Sequence, residues 1–465
     1  VLDLLMPGSA DDFFALGGHS LKAMQVATRL RAVFDVEIGL EELFDHPRLD
    51  DLAALVAARR RDAPAAPGPV LDILPVPASG LCPLSFAQER IWFLAQWPDG
   101  AVAYNMAMAV RIDGPLDVAA FAEAAAVLPD RHPMLRTCFA APDGVPLQRV
   151  DPEARLVLAT RDLRDLDPAA RDAAVTEAAA CDAATPFDLT RAPLLRLTLL
   201  RLADDAHVLL VNLHHIAGDG WSGQIVLEEL TALYAARIGA GPDLPPAPVL
   251  TYADVADWQR RRLNEAEARR QLDHWRGVLT DPPVLDLPTD RPRPPVVSSD
   301  GGCLVRDLPD DLLVDLRRLA AGAGCTPFMA MTALFGLLLG RMAGQDEVVI
   351  GTPVTNRPDR RLEDLVGFFT YTLPLRLDLR GADLPALLSR TRATCLAAFD
   401  HPDLPFERLV DAFAPERSLA HTPLFQVMLA WQLAGASRLE LPGLAVSRLA
   451  VRHAVRLLLR GIARH

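Results

Sequence analysis

Apolar positions recur at helical spacing three times in the first sixty residues. Ser20 stands before a run with Leu21, Met24, Ala27, Leu30 and Phe34 on one face. Residues 40–44 read as a short helix, and Leu49, Leu52, Ala53 and Val56 mark a third. From Arg59 to about Pro77 the periodicity gives way to charge, Ala and Pro, the composition of a semi-rigid linker. Beyond Cys82 the pattern changes, and strand-like runs alternate with Ala/Leu-rich helical stretches. Residues 106–112 precede 116–127, and 208–213 precede 225–237. After the Pro-rich stretch 281–295 a second series follows, at 303–308, 312–321, 329–342 and 348–351. Two comparable series predict two lobes, each a mixed sheet with helices, behind a small helical unit.

Composition narrows the partners. The chain has 465 residues, enough for two or three domains, and 51% of them are apolar. A formal charge of −13 argues against nonspecific binding to nucleic acid. No run of 18 uncharged apolar residues occurs; the longest candidate, 326–340, reads as a buried helix, and no membrane association is expected. The start, Val1-Leu-Asp-Leu, has no basic stretch of the secretory kind. Six scattered cysteines without a Cys-x-x-Cys pair read as reduced thiols of a cytoplasmic protein, and no metal-ligand cluster is expected.

Candidate chemistry concentrates at 214–222, His-His-Ile-Ala-Gly-Asp-Gly-Trp-Ser, directly after the apolar run Val208-Leu-Leu-Val-Asn-Leu213. Strand neighbours point to opposite faces, so His214 and His215 cannot share one cavity. His215 is expected to face it and His214 to pack on scaffold. Asp219 lies between Gly218 and Gly220, which allow a tight backbone path. A second candidate is Ser20, reached through Gly17-Gly18, where a turn exposes a hydroxyl at a helix start and free N–H groups favour a phosphate.

These strings resemble known motifs. Asp11-Asp-Phe-Phe-Ala-Leu-Gly-Gly-His-Ser-Leu21 resembles the phosphopantetheine site of peptidyl carrier domains. The 214–222 string resembles the active-site motif of condensation domains of nonribosomal peptide synthetases. In order, Ser85-Phe-Ala-Gln-Glu-Arg-Ile-Trp-Phe-Leu94, Arg131-His-Pro-Met-Leu-Arg-Thr-Cys-Phe139, Phe187-Asp-Leu-Thr-Arg-Ala-Pro-Leu-Leu-Arg196, Tyr252-Ala-Asp-Val-Ala-Asp-Trp258, Val366-Gly-Phe-Phe-Thr-Tyr-Thr-Leu373, His401-Pro-Asp-Leu-Pro-Phe-Glu407 and Arg417-Ser-Leu-Ala-His-Thr-Pro-Leu424 resemble the remaining motifs. Pro133 stands where that family usually has Glu, and Tyr371 where it has Asn.

The resemblance implies an all-α carrier bundle (1–60), a linker (61–80), and an α/β (α+β) condensation domain of two chloramphenicol-acetyltransferase-like lobes, about 81–250 and 251–465. It implies 4'-phosphopantetheine on Ser20, and amide formation between a donor thioester and an acceptor amine. His215 is the expected acid/base or hydrogen-bonding group. His214, Asp219 and Gly220 complete the motif, with Trp221 and Ser222 in support. Asp219 is expected to be architectural and paired with Arg136 or Arg131, because a buried carboxylate needs a partner. Implied partners are an upstream adenylation domain, downstream adenylation and carrier domains, and a phosphopantetheinyl transferase. An epimerisation-type domain is the rival within the superfamily, but no Glu-Gly-His-Gly-Arg segment occurs, and Gly-Gly-His-Ser precedes rather than Gly-Gly-Asp-Ser. An L-to-L subtype is favoured. The chain start is too short for the usual first carrier helix. Residues 456–465 match no family element, so the second lobe is expected to lack its closing elements, which makes a catalytically impaired remnant or docking module the other rival.

Overall fold

The computed structural model describes residues 8–14, 16, 20–34, 36, 38–62, 72–77, 80–97, 100–295, 302, 304, 306–381, 383–414, 420–431 and 439–449. The helical unit forms as the periodicity predicts, with α1 (Ser20–Phe34), α2 (Leu40–Asp45) and α3 (Leu49–Asp62). Ala23, Ile38, Leu43, Phe44 and Val56 are buried between them. Phe14 stacks on Phe44 with ring centroids 4.4 Å apart and anchors the segment before α1. The unit packs on the second lobe, through α1 against the 3-10 turn Arg360–Leu362 and α2 against the helix Leu384–Phe399. Part of the linker is fastened as well. Ile73 is buried in the first-lobe core, and Val76 N donates to Asp254 Oδ1 at 2.6 Å.

The strands run, in chain order, β1 (Cys82–Pro83), β2 (Asn105–Asp113), β3 (Thr137–Ala140), β4 (Leu147–Val150), β5 (Leu158–Asp162), β6 (Leu195–Ala203), β7 (Ala206–His214), β8 (Glu347–Thr355), β9 (Thr370–Asp378), β10 (Val427–Met428) and β11 (Ala445–Leu449). A five-stranded sheet of order β11-β2-β7-β6-β5 is the frame of the first lobe, β10-β8-β9 that of the second, and β1-β4-β3 forms a small third sheet. β7 is buried along its whole length because β2 and β6 flank it and helices cover its faces. This is why its sequence is a continuous apolar run rather than an alternating one.

The lobe boundary near residue 250 needs correction. The helix Tyr252–Arg262 packs into the first-lobe core through Tyr252, Val255 and Trp258. Residues 362–369, the connection between β8 and β9, insert there too, with Leu362, Leu365, Val366, Phe368 and Phe369 buried. Residues 439–449 also return to the first lobe, where Leu439 and Leu441 are buried in its core and β11 pairs antiparallel with β2. The second lobe therefore lends the first a loop and an edge strand. Residues 450–465, where closing elements were expected to be missing, lie outside the described part of the chain.

Candidate active site

The histidine motif begins where β7 ends. His214 is the last strand residue and is fully buried against scaffold. Its Nδ1 accepts from Ile216 N at 3.2 Å, and its ring meets Phe187 edge-on with centroids 5.7 Å apart. Arg196 lies 3.9 Å over the other ring of that pair, Phe187. His215 points the opposite way, as strand alternation requires. Its ring lies 6.4 Å from Tyr104 of the first lobe and 4.9 Å from Phe368 on the inserted second-lobe loop. It is enclosed on nearly every side but keeps an accessible edge.

One hydrogen bond fixes the chemistry of His215. Its Nδ1 lies 2.9 Å from Gly218 O. A carbonyl only accepts, so Nδ1 carries the proton and Nε2 presents its lone pair. Burial lowers the His215 pKa below its ordinary value, against the opposing charge of Asp219, so the ring is neutral at physiological pH. Burial pushes His214 down as well, to about 3, with the neighbouring His215 adding to the effect.

The His214 shift has a measurable consequence. Below pH 6.5 the unfolded chain binds a proton at His214 that the folded chain refuses, so stability falls as pH drops towards 3 and is fully present above 6.5. His214→Asn, which keeps an acceptor for Ile216 N, should make the stability curve between pH 6.5 and 5 shallower by roughly 1 kcal/mol per pH unit. Denaturant titrations across that range check this, and parallel curves for the two proteins would refute it.

Asp219 caps the helix Gly220–Arg237. Its Oδ1 accepts from Ser222 N and Ser222 Oγ, both at 2.9 Å. Its Oδ2 accepts from Phe369 N at 3.1 Å and Thr370 Oγ1 at 3.3 Å, so this carboxylate ties the first lobe to the second. Its cationic partner is neither Arg131 nor Arg136 but Arg357, 3.5 Å away, with both side chains at most 3% exposed. Arg357 lies two residues beyond β8 and is oriented by Leu362 O and Leu365 O, the latter at 2.8 Å. It lies 3.8 Å over the Phe369 ring and 5.5 Å from that of Trp221. Trp221 Nε1 donates to Glu363 O at 2.9 Å, and Ser222 Oγ accepts from Gly367 N at 3.1 Å and lies 2.7 Å from Gly367 O.

The two expected arginines do other work. Arg131 grips Glu229 in a bidentate pair, at 2.7 and 3.1 Å, and His132 Nε2 lies 2.8 Å from the same carboxylate. Burial would raise the Glu229 pKa, but His132 and Arg131 outweigh it and bring it to about 2. The second motif thus braces the motif helix from its middle. Arg136 reaches Asp130 at 3.7 Å, on a largely exposed carboxylate, a contact worth little.

Of the two glycines, Gly218 is the one packing demands. A Cβ there would lie 2.9 Å from both Leu213 Cδ2 and Ser222 Cβ. Gly220 would meet nothing within 4 Å, so it leaves open space beside the motif rather than a forced turn. Residues quoted only as motif members also converge here. Ser85 Oγ lies 2.9 Å from Tyr252 OH, which donates to Phe368 O, and Gln88 Nε2 donates to Ile216 O at 3.2 Å. Burial raises the Tyr252 pKa, so its hydroxyl keeps its proton.

The geometry defines a two-lobed protein whose single accessible motif imidazole stands where the lobes meet. Residues 78–447 match the Condensation domain family, and residues 2–56 match the Phosphopantetheine attachment site family. The chain belongs to the condensation-domain family and carries a phosphopantetheine attachment domain ahead of it. It is 42% identical to one of the linear gramicidin synthase proteins of Brevibacillus parabrevis over 451 residues, 96% of this chain but 6% of that protein. It is 44% identical to phosphinothricin tripeptide synthetase PhsC of Streptomyces viridochromogenes over 378 residues, 80% of this chain and 35% of that protein. The chain therefore spans well under two thirds of these relatives. Among solved structures, the X-domain from teicoplanin biosynthesis is 29% identical with a TM-score of 0.70, covering 82% of this chain and 84% of that one. The relatives are peptide synthetases by name, and the match over residues 2–56 is to a site at which phosphopantetheine is attached.

Ser20 opens α1, whose first turn holds no acidic residue and includes Lys22, so the helix start suits a phosphodiester. Among the described residues, no single helix is long and apolar enough to cross a membrane, and no group of three His, Cys, Asp or Glu could hold a metal.

Proposed function

We propose that this chain forms an amide bond between an acyl thioester held on a carrier and the amine of an acceptor held on a second carrier. The observation that carries this reading is the 2.9 Å contact of His215 Nδ1 with Gly218 O beside Phe368, which among the described residues leaves Nε2 without a protein partner at the lobe junction. The arm on Ser20 supplies a thioester, whose C–S bond breaks as the C–N bond forms. His215 Nε2 accepts the proton that the attacking nitrogen loses, or holds that nitrogen by a hydrogen bond as it attacks. An α-amino group titrates near 7.7–8.0, so a sizeable minority is already neutral at pH 7 and placement contributes alongside proton transfer. The nucleophile belongs to the substrate, and the protein needs no serine or cysteine nucleophile of its own.

The upstream adenylation domain, the downstream adenylation and carrier domains and the phosphopantetheinyl transferase are the partners this reaction requires. The donor end is an L-residue or glycine, supported by the direct succession of attachment and condensation domains. Cys82, Cys138, Cys181, Cys325 and Cys395 are free thiols, which supports a reducing, cytoplasmic setting. The likeness to an X-domain, which has been solved in complex with OxyB, supports a second reading as a recruiting module. The neutral, outward-facing His215 favours catalysis over that reading.

Two experiments test the proposal. Incubation with coenzyme A and a phosphopantetheinyl transferase should add about 340 Da to the chain, and nothing to Ser20→Ala. Equal labelling of both would refute Ser20 as the attachment point. The loaded chain, mixed with an aminoacyl carrier, should then yield a dipeptidyl thioester by mass spectrometry. Absence of product with both carriers loaded would favour the recruiting module.

A further inference from the structure

Among the described residues, the carrier unit meets the second lobe at two ion pairs of opposite sense. Arg29 of α1 donates to Glu363 Oε2 at 3.0 Å. Arg392, on the helix Leu384–Phe399, donates to Asp45 Oδ1 at the end of α2 at 2.6 Å, with its guanidinium 5.9 Å over the Phe44 ring. At one point the carrier supplies the cation, and at the other the anion. A carrier turned about, or one with the signs exchanged, would set like charges against each other at both points. Arg392 is held ready by its own bond to Gly324 O at 3.1 Å.

Glu363 connects this contact to the histidine motif. Its side chain takes Arg29, while its carbonyl takes Trp221 Nε1. On either side of it, Leu362 O and Leu365 O accept from Arg357, the partner of Asp219. The loop that the carrier grips is therefore the loop that frames the start of the motif helix. Arg29 also lies nine residues beyond Ser20 on α1, about 13.5 Å along the axis, so the same pair fixes where the helix start stands relative to that loop.

We propose that Glu363 and Arg392 form the docking surface for this carrier, that the crossed ion pairs select it, and that docking steadies the 359–366 loop against Trp221. Arg29 is then a positioning residue. The inference takes its meaning from the carrier-and-condensation reading above, but its test does not require the reaction.

Hydrogen exchange of the full chain, followed by mass spectrometry, reads the loop directly. Arg29→Glu sets two carboxylates face to face and should speed exchange at 359–367 and in the first turn of the Gly220–Arg237 helix by roughly two- to fivefold, as expected of a partly exposed pair. Arg29→Gln should give a smaller rise. Adding Glu363→Arg to Arg29→Glu should restore parental rates, and about 0.5 M salt should loosen the parent but not the neutral variant. Unchanged exchange in Arg29→Glu would overturn the proposal, as would a rise that the charge swap fails to reverse. If the exchange signature holds while no dipeptidyl product forms, the reaction assigned above fails and the docking surface stands.

Discussion

Replacing His215 with alanine should slow dipeptidyl transfer by about 10²-fold or more, with carrier loading and melting behaviour unchanged. The loss follows from what the imidazole touches. Its Nδ1 is committed to Gly218 O, and its ring is held between Tyr104 and Phe368, so only Nε2 is available to a substrate. Alanine removes that lone pair and leaves room for water at the lobe junction. Little stability should go with it, because the ring makes one hydrogen bond and is not part of the buried apolar core. His215→Gln, which retains a hydrogen-bonding group, separates two roles. If Nε2 mainly positions the amine, glutamine should recover part of the rate with the parental pH profile. If it removes a proton, glutamine should be as slow as alanine. Because burial lowers the His215 pKa, the acid limb from this group should lie below 6.5, and activity should rise with pH through that limb and level off above it. Single-turnover rates across pH measure this. Parental rates in a folded His215→Ala would show the histidine to be dispensable.

The sequence made the histidine assignments legible because they rest on strand alternation, a rule of local geometry. The apolar run before His214 marks a strand, and the period of two sends His214 into the core and His215 out of it. The helices of the carrier unit and the buried helix Pro327–Ala343 were legible for the same reason. The partner of Asp219 was not. Arg131 and Arg136 lie nearer in sequence, in a motif rich in charge, but they are set to meet Glu229 and Asp130 instead. Arg357 sits 138 positions from Asp219 in a turn after a second-lobe strand, and only the insertion of residues 362–369 into the first lobe brings the two together. Crossings of this kind leave no local periodicity. The return of β11 to β2 is a second case, since nothing local in its five residues points to a partner more than 330 positions earlier.

Asp219→Ala should cost roughly 3–5 kcal/mol of stability, the usual penalty for leaving one member of a buried pair alone. It removes the cap of the Gly220–Arg237 helix, the acceptor for Phe369 N and the counter-charge of Arg357 in one step. Arg357 is then a buried cation left with carbonyls, the Ser222 hydroxyl and the Phe369 and Trp221 rings, but without its carboxylate. Arg357→Ala should cost a comparable amount, because it strands the carboxylate and removes the donor that gathers the Leu362 and Leu365 carbonyls of the loop. The double variant should cost less than the two single losses added together, since it removes both charges at once. Denaturant unfolding of all four proteins measures the coupling, and activity should fall in each variant because His215 faces Phe368, next to the Phe369 amide that Asp219 holds. Additive losses would mean that the two residues do not act as a pair. An Asp219→Ala protein that unfolds like the parent and yet transfers nothing would move Asp219 from the scaffold to the reaction. With both carboxylate oxygens already taken by Ser222, Phe369 and Thr370, the scaffold is where the geometry puts it.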